Sequence, residues 1–177
     1  LAEPVQTMLM AGDVDMGHAR ALLALDRATQ ITAANQVVAK KMSVREAESL
    51  AKKHGVNVSV QPADLSKPGA AAQLLAAVTR KHVQVDVLVN CAGVLEQGAF
   101  VAIDPAAHQN IIDLNISGLT AMLSAFVPGM VERGRGRVLN VASVAAFQPV
   151  PTLASYAASK AYVLSLSESL AEELRDT

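Results

Sequence analysis

Tyr156 and Lys160 stand four residues apart in Tyr156-Ala-Ala-Ser-Lys160, at the start of a stretch that reads as helix. Residues i and i+4 share one helical face, so a phenol and an ammonium project from the same side. A cation held beside a phenol favours the phenolate, which is how a protein makes a proton donor and acceptor out of tyrosine. Taken alone the pair is also what a surface tyrosine over a lysine stem looks like. Other groups upstream give it weight: Ser143 after one apolar run, Asn90-Cys91-Ala92-Gly93 after another, and Asn115 inside a long apolar stretch.

Those groups need elements to position them. Apolar runs of strand length alternate with longer segments of helical period, the pattern of βαβ units on a parallel sheet. Strands are predicted over residues 7–11, 30–34, 57–62, 85–90 and 137–141, and helices over 17–26, 37–54, 68–81, 105–132 and 154–175. Pro68 and Pro105 fall where a first helical turn tolerates proline, and Pro128-Gly129 should break the long helix near its end. In a doubly wound sheet, ligands bind outside the carboxyl ends of the strands. The residues there are Gly12, Met16 and Gly17 after the first strand, Asn35 after the second, Asp64 and Leu65 after the third, Asn90, Ala92 and Gly93 after the fourth, and Ser143 after the fifth.

The chain has 177 residues, enough for one domain with a real core, and a formal net charge of -1, which gives no electrostatic footprint for nucleic acid or an anionic membrane. Hydrophobic residues make up 51% and aromatic ones 3%, an interior of Ala, Val and Leu that suits an α/β fold. One cysteine, Cys91, excludes a disulfide framework and fits a reducing, cytoplasmic compartment. No CxxC or HExxH string argues for a metal. His18, His54, His82 and His108 lack ligand spacing and read as surface residues. Residues 114–131 carry no charge, yet Asn115, Ser117, Thr120 and Ser124 interrupt them, so a buried helix is expected and not a membrane span. A serine hydrolase lacks its GxSxG elbow here, and a kinase or NTPase lacks GxxxxGK[ST].

Together these motifs resemble the short-chain dehydrogenases/reductases. Asn90-Cys91-Ala92-Gly93 is similar to that family's NAG segment, Leu114-Asn115 with Gly118 to its LNxxG helix, Val141-Ala142-Ser143 to its serine strand end, and Tyr156 to Lys160 to its YxxxK pair. The resemblance implies a three-layer doubly wound parallel sheet of Rossmann type, formed by residues 1–177 as a single dinucleotide-binding and catalytic domain. It also implies that Tyr156 exchanges a proton with a substrate oxygen while hydride moves to or from a nicotinamide. Lys160 would assist the phenol and bind the ribose hydroxyls, Ser143 would hold the substrate oxygen, and Asn115 would hold a water of a proton relay. Cofactor contacts would fall on Gly12, Met16, Gly17, Asn35, Asp64, Leu65, Asn90, Ala92, Gly93, Tyr156 and Lys160. An alkoxide developing during hydride transfer calls for convergent donors and a route for its proton. A homodimer or homotetramer is implied as well, with a small-molecule carbonyl or alcohol as substrate.

The sequence departs from the family in the first loop, where TGxxxGxG would be expected. Here Ala11-Gly12-Asp13-Val14-Asp15-Met16-Gly17-His18 places only Gly12 in register and brings two carboxylates to a phosphate site. The end of the second predicted strand has no acidic residue for a ribose, and Asn35 with Lys40 and Lys41 nearby favours NADP(H) slightly over NAD(H). The family continues with at least one more strand, so the reading expects a C-terminal part beyond Thr177. Two functions stay open: an oxidoreductase using Tyr156, or a scaffold of the same fold that has lost its cofactor and acts through protein contacts. Asp64 as an adenine ligand or a helix cap, and Ser143 as a catalytic hydroxyl or a turn cap, also remain alternatives.

Overall fold

Carboxylates and prolines set most of the helix starts. Asp15, Asp26 and Asp104 accept backbone N–H groups at the caps of three helices, and Pro4 and Pro105 sit in first turns where the missing N–H costs nothing. The computed structural model describes residues 1–23, 25–53 and 59–177, which form two compact units, 1–60 and 61–177.

The first unit is helical: α1 (Glu3–Ala11), α2 (Met16–Leu22), α3 (Arg27–Lys40) and α4 (Val44–Lys53). Val5, Leu22, Leu25, Ala33, Ala34 and Ala51 form one apolar cluster, and Val14, Val37 and Ala47 another. The strands predicted over 7–11 and 30–34 are therefore helices. Thr7-Met8-Leu9-Met10-Ala11 is mostly good helix-forming sequence, and it ends at Gly12 in the left-handed region (φ 81), whose N–H bonds back to Leu9 and Met8. Gly12 is thus a helix C-cap and not the opening of a phosphate loop. Segment 30–34 lies within α3, whose Asp26 cap takes the N–H groups of Ala28 and Thr29. Gln30 there is buried, accepting from Ala2 N–H at 2.8 Å and donating to the Leu25 carbonyl at 2.9 Å. The predicted strand 57–62 and the end of helix 37–54, including His54, fall partly outside the described residues; 59–62 form no strand.

In the second unit the alternation reads true. After α5 (Ala70–Arg80) comes β1 (Val87–Asn90); after a continuous helical run from Pro105 to Glu132 comes β2 (Arg137–Asn140); α8 (Ala154–Glu173) follows. The strands are parallel, with Val87 opposite Arg137 and Asn90 opposite Asn140. Leu88 joins Ala71, Leu119, Met122, Leu123, Phe126, Met130 and Val163 in the core, so helices of this unit cover one sheet face. Val87 and Leu139 point the other way and are 60% and 57% exposed. Among the described residues this two-stranded pair is all of the sheet.

The helical run Pro105–Glu132 has three parts: α6 (Pro105–Ile111), a π-helical stretch (Ile112–Gly118) and α7 (Leu119–Glu132). By length and composition it could cross a membrane, but Ile111, Leu119, Met122, Phe126 and Met130 are buried, as in the core helix of a soluble protein. Pro128 does not break it. Ser124, whose carbonyl loses its N–H partner, is exposed, so water can satisfy that oxygen.

Candidate active site

Lys160 lies on the inner face of α8 and is only 6% exposed. Its Nζ donates to the Val141 carbonyl at 2.8 Å, just past β2, and lies 5.8 Å from the centroid of the Tyr156 ring. The i, i+4 spacing therefore places the amine over the Tyr156 ring. Gly93 comes up against the same atoms: a Cβ there would lie 3.3 Å from Asn115 Oδ1 and 3.6 Å from Lys160 Nζ. A side chain on Gly93 would crowd the amide and cover the amine.

Asn115 is 2% exposed and sits in the π-helical stretch. Its Oδ1 accepts the Val94 N–H at 2.9 Å, while Nδ2 donates to the Val94 carbonyl at 2.9 Å and to Ser159 Oγ at 3.0 Å. Ser159 Oγ donates in turn to the Tyr156 carbonyl at 2.7 Å. Both N–H groups of Asn115 are committed, so a water held by this side chain can use only the second lone pair of Oδ1. Its observed work is to clamp the Gly93–Val94 backbone onto α8. Wide π turns often occur where a side chain must be aimed off the regular helical path. One turn on, Gly118 packs directly on backbone: a Cβ there would lie 2.5 Å from the Leu65 carbonyl oxygen.

Ser143 has extended backbone, and its Oγ accepts the Ala145 N–H at 3.2 Å, capping the short 3₁₀ turn Val144–Phe147 against which α8 packs. It is a turn cap whose hydroxyl hydrogen is left to donate. Asn90 and Asn140 sit opposite each other; Asn90 Nδ2 donates to Asn140 Oδ1 at 2.9 Å, and Asn140 Nδ2 to Ser167 Oγ of α8 at 2.9 Å. Asp64 Oδ1 accepts both the N–H and the hydroxyl of Ser66, at 3.1 and 2.6 Å, and these bonds, the hydroxyl first, hold the carboxyl below its usual pKa. Asp64 therefore closes its own turn and does not cap α5, which begins after Gly69.

Gly12, Met16, Gly17 and Asn35 lie in the helical unit, at no strand end. Gly17 is small because α4 approaches it, with a Cβ there only 2.7 Å from a Val44 methyl. Asn35 is exposed in the middle of α3. At the start of α2, Asp15 accepts the His18 N–H at 2.9 Å, and His18 Nδ1 faces the Asp15 N–H at 3.3 Å. His18 also reaches the Met42 carbonyl at 2.7 Å, so it is a capping residue and not a loose surface histidine. The His18 N–H, first among several bonds, lowers the Asp15 pKa. The Asp15 carboxylate thus caps the N-terminus of α2.

Burial lowers the pKa of Lys160, opposed in part by electrostatic attraction to Cys91. The folded protein gives up this proton more readily than the unfolded chain, whose lysine titrates near 10.5. Between the lowered value and 10.5 the unfolded state binds more protons, so this group makes stability rise with pH across that window. Below the window the full cost of burying the charge remains. Lys160→Met is expected to flatten that rise, seen as urea midpoints that diverge from wild type in alkaline buffer. Parallel midpoints for the two proteins would refute the buried-charge account.

A family model described as short chain dehydrogenase matches residues 18–177. The chain belongs to that family. A 2-keto-3-deoxy-L-fuconate dehydrogenase of Xanthomonas campestris is 32% identical over 167 residues, covering 94% of this chain and 52% of the relative. Dehydrogenase/reductase SDR family member 4 of Bos taurus is 30% identical over 139 residues, covering 78% and 50%. The chain spans about half the length of these curated relatives. A metagenomic short-chain oxidoreductase solved with NADP is 35% identical with a TM-score of 0.70, over 75% of this chain and 60% of that one. A short-chain dehydrogenase from Sphingobium yanoikuyae solved with NADPH is 34% identical with a TM-score of 0.65, over 72% and 50%. The short-chain dehydrogenase fold is α/β and Rossmann-like, as the sequence predicts. The family match begins at His18, after Gly12, Met16 and Gly17.

The family implies a nicotinamide cofactor, and its ribose can be tested against the residues around Lys160. At the ribose end the residues suit it: a buried ammonium, a backbone without Cβ at Gly93, and Tyr156 beside them.

Three contributors escaped the sequence reading. Ser159 and Val94 carry the Asn115 clamp, and the Val141 carbonyl anchors Lys160. Ser159 lies within the Tyr156-to-Lys160 span, three residues after the tyrosine, which was the available signal. A backbone carbonyl or amide leaves no trace in residue type.

Proposed function

We propose that this protein is an NAD(P)(H)-dependent oxidoreductase that interconverts a carbonyl and a secondary alcohol at Tyr156. The observation that carries the reading is the buried Lys160 amine, anchored to Val141 and lying 5.8 Å from the centre of the Tyr156 ring. When bound, the nicotinamide supplies or accepts the hydride. Tyr156 Oη gives a proton to the substrate oxygen in reduction and takes it back in oxidation. Ser143 donates its hydroxyl hydrogen to the same oxygen and so restrains the developing charge. Lys160 offers N–H groups to ribose hydroxyls. Asn115 holds Gly93 and Val94 in place, and its Oδ1 can accept from a relay water. Asp64, Leu65, Asn90, Ala92 and Gly93 line the cofactor side of this proposal.

The same proposal takes NADP(H) over NAD(H), with support from the two solved relatives bound to NADP and NADPH, and a cytoplasmic homodimer or homotetramer. The test is absorbance at 340 nm with NADPH or NADH and a panel of aldehydes and ketones. Cofactor consumption that depends on both protein and carbonyl is expected; none with any pair would remove the reading. A scaffold without cofactor is favoured by one observation, the carboxylate at the start of α2. Calorimetric titration with NADPH separates the two, since the scaffold gives no binding heat.

A further inference from the structure

His108, in the last turn of α6, touches both the loop at Phe100 and the start of α8. Its Nε2 lies 3.1 Å from the Phe100 carbonyl oxygen and its Nδ1 lies 2.7 Å from Ser155 Oγ. A carbonyl only accepts, so Nε2 carries the ring proton and Nδ1 accepts from the Ser155 hydroxyl. The ring also stacks on Phe100, with centroids 4.4 Å apart and planes tilted by 30°. α8 has no side-chain cap at its N-terminus, where Leu153 makes no capping bond. The first turn of a helix holds N–H groups with no intrahelical partner, and an uncapped turn frays. Tyr156 is in that turn, next to Ser155. A second tie, from Gly98 N–H to the Thr152 carbonyl at 2.9 Å, joins the same two segments.

We infer that His108 is a positioning residue of the Tyr156 site: it fastens the loop around Phe100 to the first turn of α8 and so fixes where the phenol stands. The inference rests on the reading of Tyr156 given above. It acts through Ser155, and this gives it a signature that packing alone lacks. The test compares wild type, His108→Phe, Ser155→Ala, the double variant and His108→Gln in the full-length protein. Phenylalanine keeps the stacking on Phe100 and removes both bonds; glutamine can restore a donor and an acceptor.

Amide hydrogen exchange is expected to quicken in both segments, 98–102 and 154–158, in His108→Phe and in Ser155→Ala. With NADPH and a reducible carbonyl, kcat should fall about 3- to 10-fold, the size of one lost hydrogen bond, with KM little changed. The double variant should be no worse than either single one, and His108→Gln should recover most of the loss. Additive losses, or faster exchange in only one segment or neither, would overturn the assignment. So would a lowered unfolding midpoint with unchanged kcat and exchange. If the wild type turns over nothing, the Tyr156 reading fails by itself, while the exchange arm still decides whether His108 joins the two segments.

Discussion

Tyr156→Phe is expected to lower kcat by about 10²- to 10⁴-fold, the usual worth of a positioned general acid or base. The substitution removes one oxygen and keeps the ring, so the Lys160 contact, the carbonyl that Ser159 bonds and the packing of α8 all persist. NADPH affinity and unfolding midpoint should therefore match wild type. That combination separates loss of chemistry from loss of structure. Turnover within tenfold of wild type would show that some other group handles the proton.

Gly118→Ala is expected to destabilise the protein by about 1–3 kcal/mol, the range for forcing an extra methyl into a packed interior. Its Cβ would come 2.5 Å from the Leu65 carbonyl oxygen and 3.3 Å from that of Asp113. Neither is a side-chain tip that can swing away. Either the turn holding Asp64 and Leu65 moves off the helix, or the π-helical stretch that aims Asn115 changes its winding. Urea unfolding measures the first cost, and a rise in KM for the cofactor would reveal displacement of the turn. An unchanged midpoint would mean that the approach of these backbones is looser than it stands here.

Residue type and spacing made the second unit legible. Short apolar runs at 87–90 and 137–140 and a proline at the first turn of α6 pointed to strands and a helix start, and the structure follows them. The first unit was misread because its signals have two meanings. A glycine after an apolar run opens a phosphate loop or closes a helix, and Gly12 does the latter; Met8, Leu9 and Ala11 carried the propensity that decided it. Segments 7–11 and 30–34 have the length of strands, but they lie inside α1 and α3. In the site, the approach of Gly93 to Lys160 and the winding at Asn115 left no mark, since a π turn is made of the same residues as an α turn. His108 was set aside for want of ligand spacing, and its partner Ser155 lies 47 residues on. Contacts at that separation become visible only when the chain has folded.

The amide pair Asn90 and Asn140 bears on how β1 and β2 find each other. A slip by a single residue would turn the Asn140 side chain to the opposite face, leaving the buried Asn90 amide with no partner and freeing Ser167 from its place on the neighbouring helix. A misthreaded pairing of the two strands is thus penalised. The two strand ends leave the sheet at matched heights, and the anchor for the buried amine arrives already aligned with the loop that faces it.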